Sequence, residues 1–242
     1  MRRSLLLLVC WVCALPLRGA DFEAANRLYD DGKFAEAKAG YEQLVEEGKW
    51  RANLFYNLGN AHQRLGAPGE AILGYKRALT LDPSHPEARA NLSFVRGQTG
   101  AVPWPDSWVD RLFPGRWSDA YAVGGALAGW IAVFALANVF LKPRRDKMVL
   151  WFGAVAAAMI AGYAAAAVGY LEQDRALAIE TAKTAEVHLA PAESSPAADA
   201  LPAGSEVRVL SERGEWIYCV RPTQGRGWIR AQALERVRLG GS

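Results

Sequence analysis

The first residues with reactive side chains are Cys10 and Cys13, which stand in "CWVC" at the C-x-x-C spacing of a redox pair. Their surroundings supply another explanation, because both fall in an apolar run from Ser4 to Leu15. The third thiol, Cys219, alternates with Val220 in a strand-like run, and His188 lies about thirty residues away. A Cys/His nucleophile needs both side chains within hydrogen-bonding reach and a third group to orient the base. Nothing around Cys219 supplies that pattern. The three histidines are scattered singly, and no metal-ligand cluster, serine elbow or phosphate loop occurs. The expectation is no catalytic residue, no metal and no cofactor, hence not an enzyme. Amides are the more promising polar groups. Asn26, Asn57, Asn60 and Asn91 recur at related spacings, and Arg64 follows on the segment that carries Asn57 and Asn60. An amide offers both donor and acceptor, which suits holding a peptide backbone. A structural role is the alternative.

The elements that position these amides follow from a 34-residue period. Asn26 matches Asn60, Gly32 matches Gly66, Glu36 and Ala37 match Glu70 and Ala71, Tyr41 matches Tyr75, and Asn57 matches Asn91. Two helical patterns per 34 residues are the signature of a tetratricopeptide repeat (TPR). The best copy is "FYNLGNAHQRLGAPGEAILGYKRALTLDP", Phe55 to Pro83, with Gly59 and Ala71 small for close helix approach and Pro83 ending the second helix. A first copy spans Asp21 to Lys49. A third, "PEARANLSFVRG", stops after one helix, as a cap covering the last repeat does. The asparagines then fall on first helices lining an inner groove, while Glu42 and Lys76 on second helices are expected to face away. The lysines of the family's carboxylate clamp are missing, with Phe22 where the first would be. His62 takes a packing position.

Hydrophobic residues make up 51% of the 242, and the excess is concentrated in the first 17 residues and between Ala120 and Leu171. The N-terminal run, with Arg2, Arg3, Pro16 and small Gly19 and Ala20, has the pattern of a secretory signal peptide, with an uncleaved anchor as the alternative. Two charge-free runs, Ala120 to Leu141 and Met148 to Leu171, are each long enough to cross a bilayer core. Small residues at every fourth position, Gly125 and Gly129, then Ala154, Ala158, Gly162 and Ala166, are expected to form the helix–helix seam. Trp104, Trp108 and Trp117 precede the first run, as at a membrane–water boundary. Between the runs, "KPRRDK" holds Lys142, Arg144, Arg145 and Lys147. Cations accumulate on the cytoplasmic side of short loops, so both ends of the hairpin are expected outside the cytoplasm. With net charge +3 and no long basic run elsewhere, nucleic acid is not an expected partner.

After a polar stretch, short alternating runs separated by Gly, Pro, Ser and Asp clusters predict a small antiparallel β barrel. "LPAGSEVRVLSERGEWIYCVRPTQGRGWI" resembles a bacterial SH3-like domain through Gly204, Gly214 to Trp216, and Gly227, Trp228 and Ile229. Trp216, Tyr218 and Trp228 are its surface candidates, although tryptophans at the two Trp positions more often pack than touch a ligand in this fold.

The predicted fold class is multidomain: an all-α TPR helical solenoid, a two-helix transmembrane hairpin and a small all-β SH3-like barrel. The segments are 1–20 signal peptide, 21–99 TPR, 100–119 tryptophan-rich linker, 120–141 first span, 142–147 cytoplasmic loop, 148–171 second span, 172–184 linker and 185–239 SH3-like domain. This order, with "LFYNLGNAHQRLG", "AILGYKRALTLDP" and "EARANLSFVRG", resembles the BatE-type proteins of bacterial aerotolerance operons. The resemblance implies a non-enzymatic scaffold of the bacterial inner membrane, spanning it twice and contacting membrane lipid. It further implies protein partners with von Willebrand factor A domains and a MoxR-type AAA ATPase system. The alternative is an envelope protein that binds peptidoglycan through its SH3-like domain.

Overall fold

A computed structural model describes residues 21–105, 112–113, 117–141, 147–222 and 225–239. The expected signal peptide, Trp108 and the cations Lys142, Arg144 and Arg145 lie outside the described residues. Among the described residues five helices come first: α1 (Phe22–Asp30), α2 (Phe34–Glu46), α3 (Ala52–Arg64), α4 (Pro68–Leu81) and α5 (Pro86–Thr99). Proline opens α4 and α5 at a position whose N–H has no helical partner. Gly32 and Gly66, one repeat apart, turn the chain at φ 78° and 72°, where a side chain would be strained. Helices α3 and α4 cross at bare backbone. A Cβ on Gly74 would come 2.8 Å from Gly59 Cα, and one on Gly59 would come 2.8 Å from the Tyr75 ring. Tyr41 and Tyr75, again one repeat apart, are fully buried between the helix pairs.

Two long apolar helices follow, α6 (Ser118–Leu141) and α7 (Lys147–Arg175). Asp119–Asn138 and Met148–Leu171 each have mean hydropathy 1.8 and are long and apolar enough to cross a membrane. Large apolar side chains point away from the protein along both, among them Trp130, Phe134, Met148 and Phe152. The helices pack on each other, but not along the expected row. Ala154, Ala157, Ala164, Ala167 and Leu171 are buried, whereas Ala158, Gly162 and Ala166 are exposed. Alternating steps of three and four keep one face toward a partner over many turns, as in coiled coils; uniform steps of four drift off it. Gly125 does meet the second helix, since a Cβ there would come 2.6 Å from Ala164 Cβ.

The remaining chain forms one antiparallel sheet of seven strands: β1 (Leu177–Glu180), β2 (Thr184–His188), β3 (Ala197–Pro202), β4 (Glu206–Arg213), β5 (Trp216–Arg221), β6 (Gly225–Arg230) and β7 (Leu234–Arg236). Their order is β3-β2-β6-β5-β4-β1-β7. One face buries Ala178, Val187, Val207, Ile217, Cys219 and Ile229 as a core. The stretch 172–184, expected as a linker, instead holds the end of α7 and all of β1. Strand β1 pairs with both β4 and β7. Its four residues are all buried, so period-two alternation, the usual mark of a strand with one wet face, is absent.

That continuous burial has a cause outside the sheet. Leu177, Ile179 and Val237 pack with Ile72, Leu73, Leu92 and Val95 of α4 and α5. The outer face of the β1–β4 region is therefore closed by the helical repeats. Each such apolar side chain contributes about 1.5–3 kcal/mol on burial. Gly204, at φ 85°, lets the β3–β4 turn approach Ile72.

Candidate functional site

Three groups of residues could serve function: the amide face, the aromatic face of the sheet, and the joint between the two modules. On the amide face, Asn57 Nδ2 donates to Asn26 Oδ1 at 2.9 Å, and Asn91 Nδ2 donates to Asn60 Oδ1 at 2.9 Å. The Tyr41 hydroxyl donates to Asn26 Oδ1 at 2.8 Å. The Tyr75 hydroxyl lies 2.8 Å from Asn60 Oδ1 and 2.7 Å from Gln63 Oε1. Thus the 34-residue period is a repeated bond pattern linking each first helix to the next. Burial pushes the Tyr41 hydroxyl up to about 12, opposed by its bond to Asn57, so it remains a donor at ordinary pH. These bonds use the oxygens of Asn26 and Asn60 and one N–H each of Asn57 and Asn91. The NH₂ groups of the first pair and the oxygens of the second are not consumed by them. All four asparagines are half-buried on one face of α1, α3 and α5. Arg64 is exposed at the end of α3, with its guanidinium 5.6 Å from the Phe34 ring centroid rather than among the amides.

On the sheet, Trp216, Tyr218 and Trp228 share the face of β5 and β6 opposite Ile217 and Cys219, by the alternation of those strands. Tyr218 and Trp228 are cross-strand partners with ring centroids 4.9 Å apart, both half-buried. Trp216 is only 8% exposed, covered by the Arg230 guanidinium at 4.9 Å and the edge of His188 at 5.0 Å. It packs, whereas Tyr218 and Trp228 keep part of their surface open on that face. Cys219 is fully buried, its thiol donates to Gly227 O at 3.6 Å, and burial pushes it up to about 11. Burial thus keeps that thiol protonated near neutrality and out of contact with solvent. His188 is engaged at Nδ1 with Ser195 O. Burial, and then Lys38, pull His62 down to about 4. His85 caps α5, its Nδ1 accepting from Ala88 N. Among the described residues, no group of three or more His, Cys, Asp or Glu is placed to hold a metal.

The joint is the part that sequence reasoning missed. Glu206, only 1% exposed, takes Lys76 at 3.0 Å, Arg96, and the Trp104 N–H at 3.0 Å. Lys76 was expected to face away; instead it turns onto the sheet because a second module covers α4. Val102 is held at both of its main-chain groups, accepting from Glu206 N of β4 and donating to Oγ of Ser205 just before that strand. The segment leading toward α6 is thereby held to the sheet. Arg77, 8% exposed, donates to Glu235, to Arg236 O at 2.8 Å and to Val237 O at 3.2 Å. An arginine flanked by core Tyr75 and Ala78 was the available signal, since a charge is seldom buried without a partner. The second-helix face of the last repeat is therefore taken, and the amide face lies on the other helices.

Residues 52–85 match the tetratricopeptide repeat family, and residues 183–235 match the bacterial SH3 domain family. The probable biofilm formation methyltransferase WspC of Pseudomonas aeruginosa is 35% identical over 80 residues, 33% of this chain. The chain spans about a fifth of that relative's length, 19%. A likeness of that extent does not bring methyl transfer to this chain. The two matched families are interaction modules.

Proposed function

We propose that this chain is a non-enzymatic, membrane-anchored scaffold whose TPR and SH3-like modules work as one platform outside the cytoplasm. The observation that carries the reading is the joint. Modules that share Glu206–Lys76 and Arg77–Glu235 pairs lie on the same side of a membrane. The chain between them must then cross it an even number of times, which agrees with two apolar helices. The cations in the sequence between the two helices support a cytoplasmic position for that stretch, and with it a position for the modules on the opposite side of a bacterial inner membrane. Docking on α4 and α5 leaves the amide face for a protein partner. Asn26, Asn57, Asn60 and Asn91 hold its backbone, and Arg64 lies at the rim. By resemblance to BatE-type proteins, the partners are membrane proteins with von Willebrand factor A domains and a MoxR-type ATPase system, in an envelope complex serving stress tolerance.

The test is a pull-down in mild detergent with the Asn57→Ala/Asn60→Ala double variant at equal abundance. Each lost amide bond contributes about 0.5–1.5 kcal/mol, so partner recovery should fall about tenfold or more, while Glu42→Ala changes little. Full recovery by the double variant would remove the amide face from the mechanism. A second reading, binding of peptidoglycan by the SH3-like module, is favoured by the Tyr218–Trp228 pair. It predicts sedimentation with purified cell wall that is lost in Trp228→Ala.

A further inference from the structure

The amide face is not uniform, and its departures from the repeat lie at opposite ends. Two rows cross α1, α3 and α5 at the 34-residue period: Glu23, Asn57 and Asn91, and Asn26, Asn60 and Phe94. Within each helix the two rows are three residues apart and so share one face. The α1 end therefore carries a carboxylate where the later repeats have an amide. Asp30, two turns beyond Glu23 on the same face, adds a second. Both acids are exposed, and both charges act on the Tyr41 hydroxyl that bonds Asn26. The nearby cations are turned elsewhere. Arg27 stands at the position of Ala61 and Val95, which are buried against the preceding helix pair, so on α1 it points off the open end of the stack. The Arg64 guanidinium lies over the Phe34 ring. The α5 end instead carries a phenyl ring. In the first two repeats this position accepts from the tyrosine of the second helix. The 101–105 segment after α5 is not helical, and Phe94 stands 58% exposed.

We propose that the amide face takes an extended segment of a partner protein with a Lys or Arg at one end and a large apolar side chain at the other, the cation beside Glu23 and Asp30 and the apolar side chain on Phe94. This rests on the reading of the amides as holders of a partner backbone, and adds what the partner's side chains must be. Neighbouring helices pack about 8–10 Å apart, so α1 and α5 stand about 16–20 Å apart across α3. An extended chain covers that span in about five or six residues at about 3.3 Å each. Asn57 and Asn60 lie midway and meet main chain, so the residues between the two anchors are free to vary. Covering the exposed Phe94 ring removes apolar surface from water. The paired acids on α1 also reject a segment that is acidic at that end, which adds discrimination by repulsion.

The test is fluorescence anisotropy of labelled peptides on the full chain in mild non-ionic detergent, with detergent alone subtracted. The probe is a short Ser/Thr peptide with Arg-Arg at one end and Leu-Phe about five residues away, made in both chain directions. Two control peptides replace Arg-Arg by Glu-Glu or Leu-Phe by Ser-Ser. Wild type should bind the probe about tenfold more tightly than either control, in one of the two directions. Glu23→Gln/Asp30→Asn should erase the preference for Arg-Arg over Glu-Glu and keep that for Leu-Phe. Phe94→Asn, which restores the amide of the other repeats, should do the reverse. Asn57→Ala/Asn60→Ala should weaken the probe and both controls alike. Unchanged preferences in the acid and phenyl variants, with binding still weakened by the amide variant, overturn this proposal and leave the amide reading standing. Binding unmoved by Asn57→Ala/Asn60→Ala overturns the amide reading, and this proposal with it. Equal binding of probe and controls by wild type, or no binding of the probe at millimolar concentration, also overturns the proposal.

Discussion

Replacing Glu206 by Gln isolates the electrostatic part of the joint. The carboxylate is 1% exposed and receives Lys76, Arg96 and the Trp104 N–H. Breaking a buried ion pair by removing one partner costs about 3–5 kcal/mol. Two features reduce that here. The Lys76 and Arg96 side chains keep 26% and 21% exposure and can turn to water. Gln also retains an oxygen for the Trp104 N–H. The expected loss is about 2–3 kcal/mol. Urea unfolding of the full chain in mild detergent, followed by tryptophan fluorescence, reads it directly. A double-mutant cycle with Arg96→Ala should show a coupling of about 1 kcal/mol or more, because both residues serve one contact. Limited proteolysis should also cut faster in the 101–105 segment, which the Glu206 main chain and side chain hold to β4. A loss below about 0.5 kcal/mol, or strict additivity with Arg96→Ala, would refute the view that this carboxylate holds the modules together.

Gly204→Ala should destabilise by about 2–3 kcal/mol, since φ 85° is strained for alanine and the added methyl meets the end of Ile72; thermal melts check this. Tyr75→Phe removes the hydroxyl shared by Asn60 and Gln63 and should cost about 1–2 kcal/mol by helical circular dichroism, with Tyr41→Phe similar. In a background lacking Cys10 and Cys13, Cys219 should react with a thiol reagent at pH 8 only as fast as the protein unfolds, because it is buried and its pKa is about 11. Cys219→Ser should keep function with a modest stability loss, and a well-folded serine variant without function would reopen the nucleophile reading.

Local pattern carried much of this architecture and non-local contact hid the rest. The period that relates Asn26 to Asn60 and Tyr41 to Tyr75 is set within each helix pair, so five helices and their glycine turns were legible. The amides were recognised as one face, but not that they bond to one another, because a side-chain bond between repeats depends on the packed interhelical distance. The C-terminal strands declared themselves by alternation with turn residues between. Strand β1 did not, because "LAIE" is covered on both faces and ends in a buried acid. Nor did Lys76 and Arg77 disclose their partners, which lie more than 100 positions away in sequence. Docking of modules separated by a hairpin leaves no periodic trace. The hairpin seam was misplaced for a smaller reason: in a run so rich in alanine and glycine, several rows of small residues coexist, and the chosen one followed uniform steps of four.

The most direct measurement is topology in cells, with reporters fused after Gly100, inserted at Arg145 and fused after Ser242. The account requires an extracytoplasmic signal at Gly100 and at Ser242 and a cytoplasmic one at Arg145. Opposite signals at Gly100 and Ser242 would contradict it, because modules joined through Glu206 and Arg77 cannot stand on two sides of a membrane.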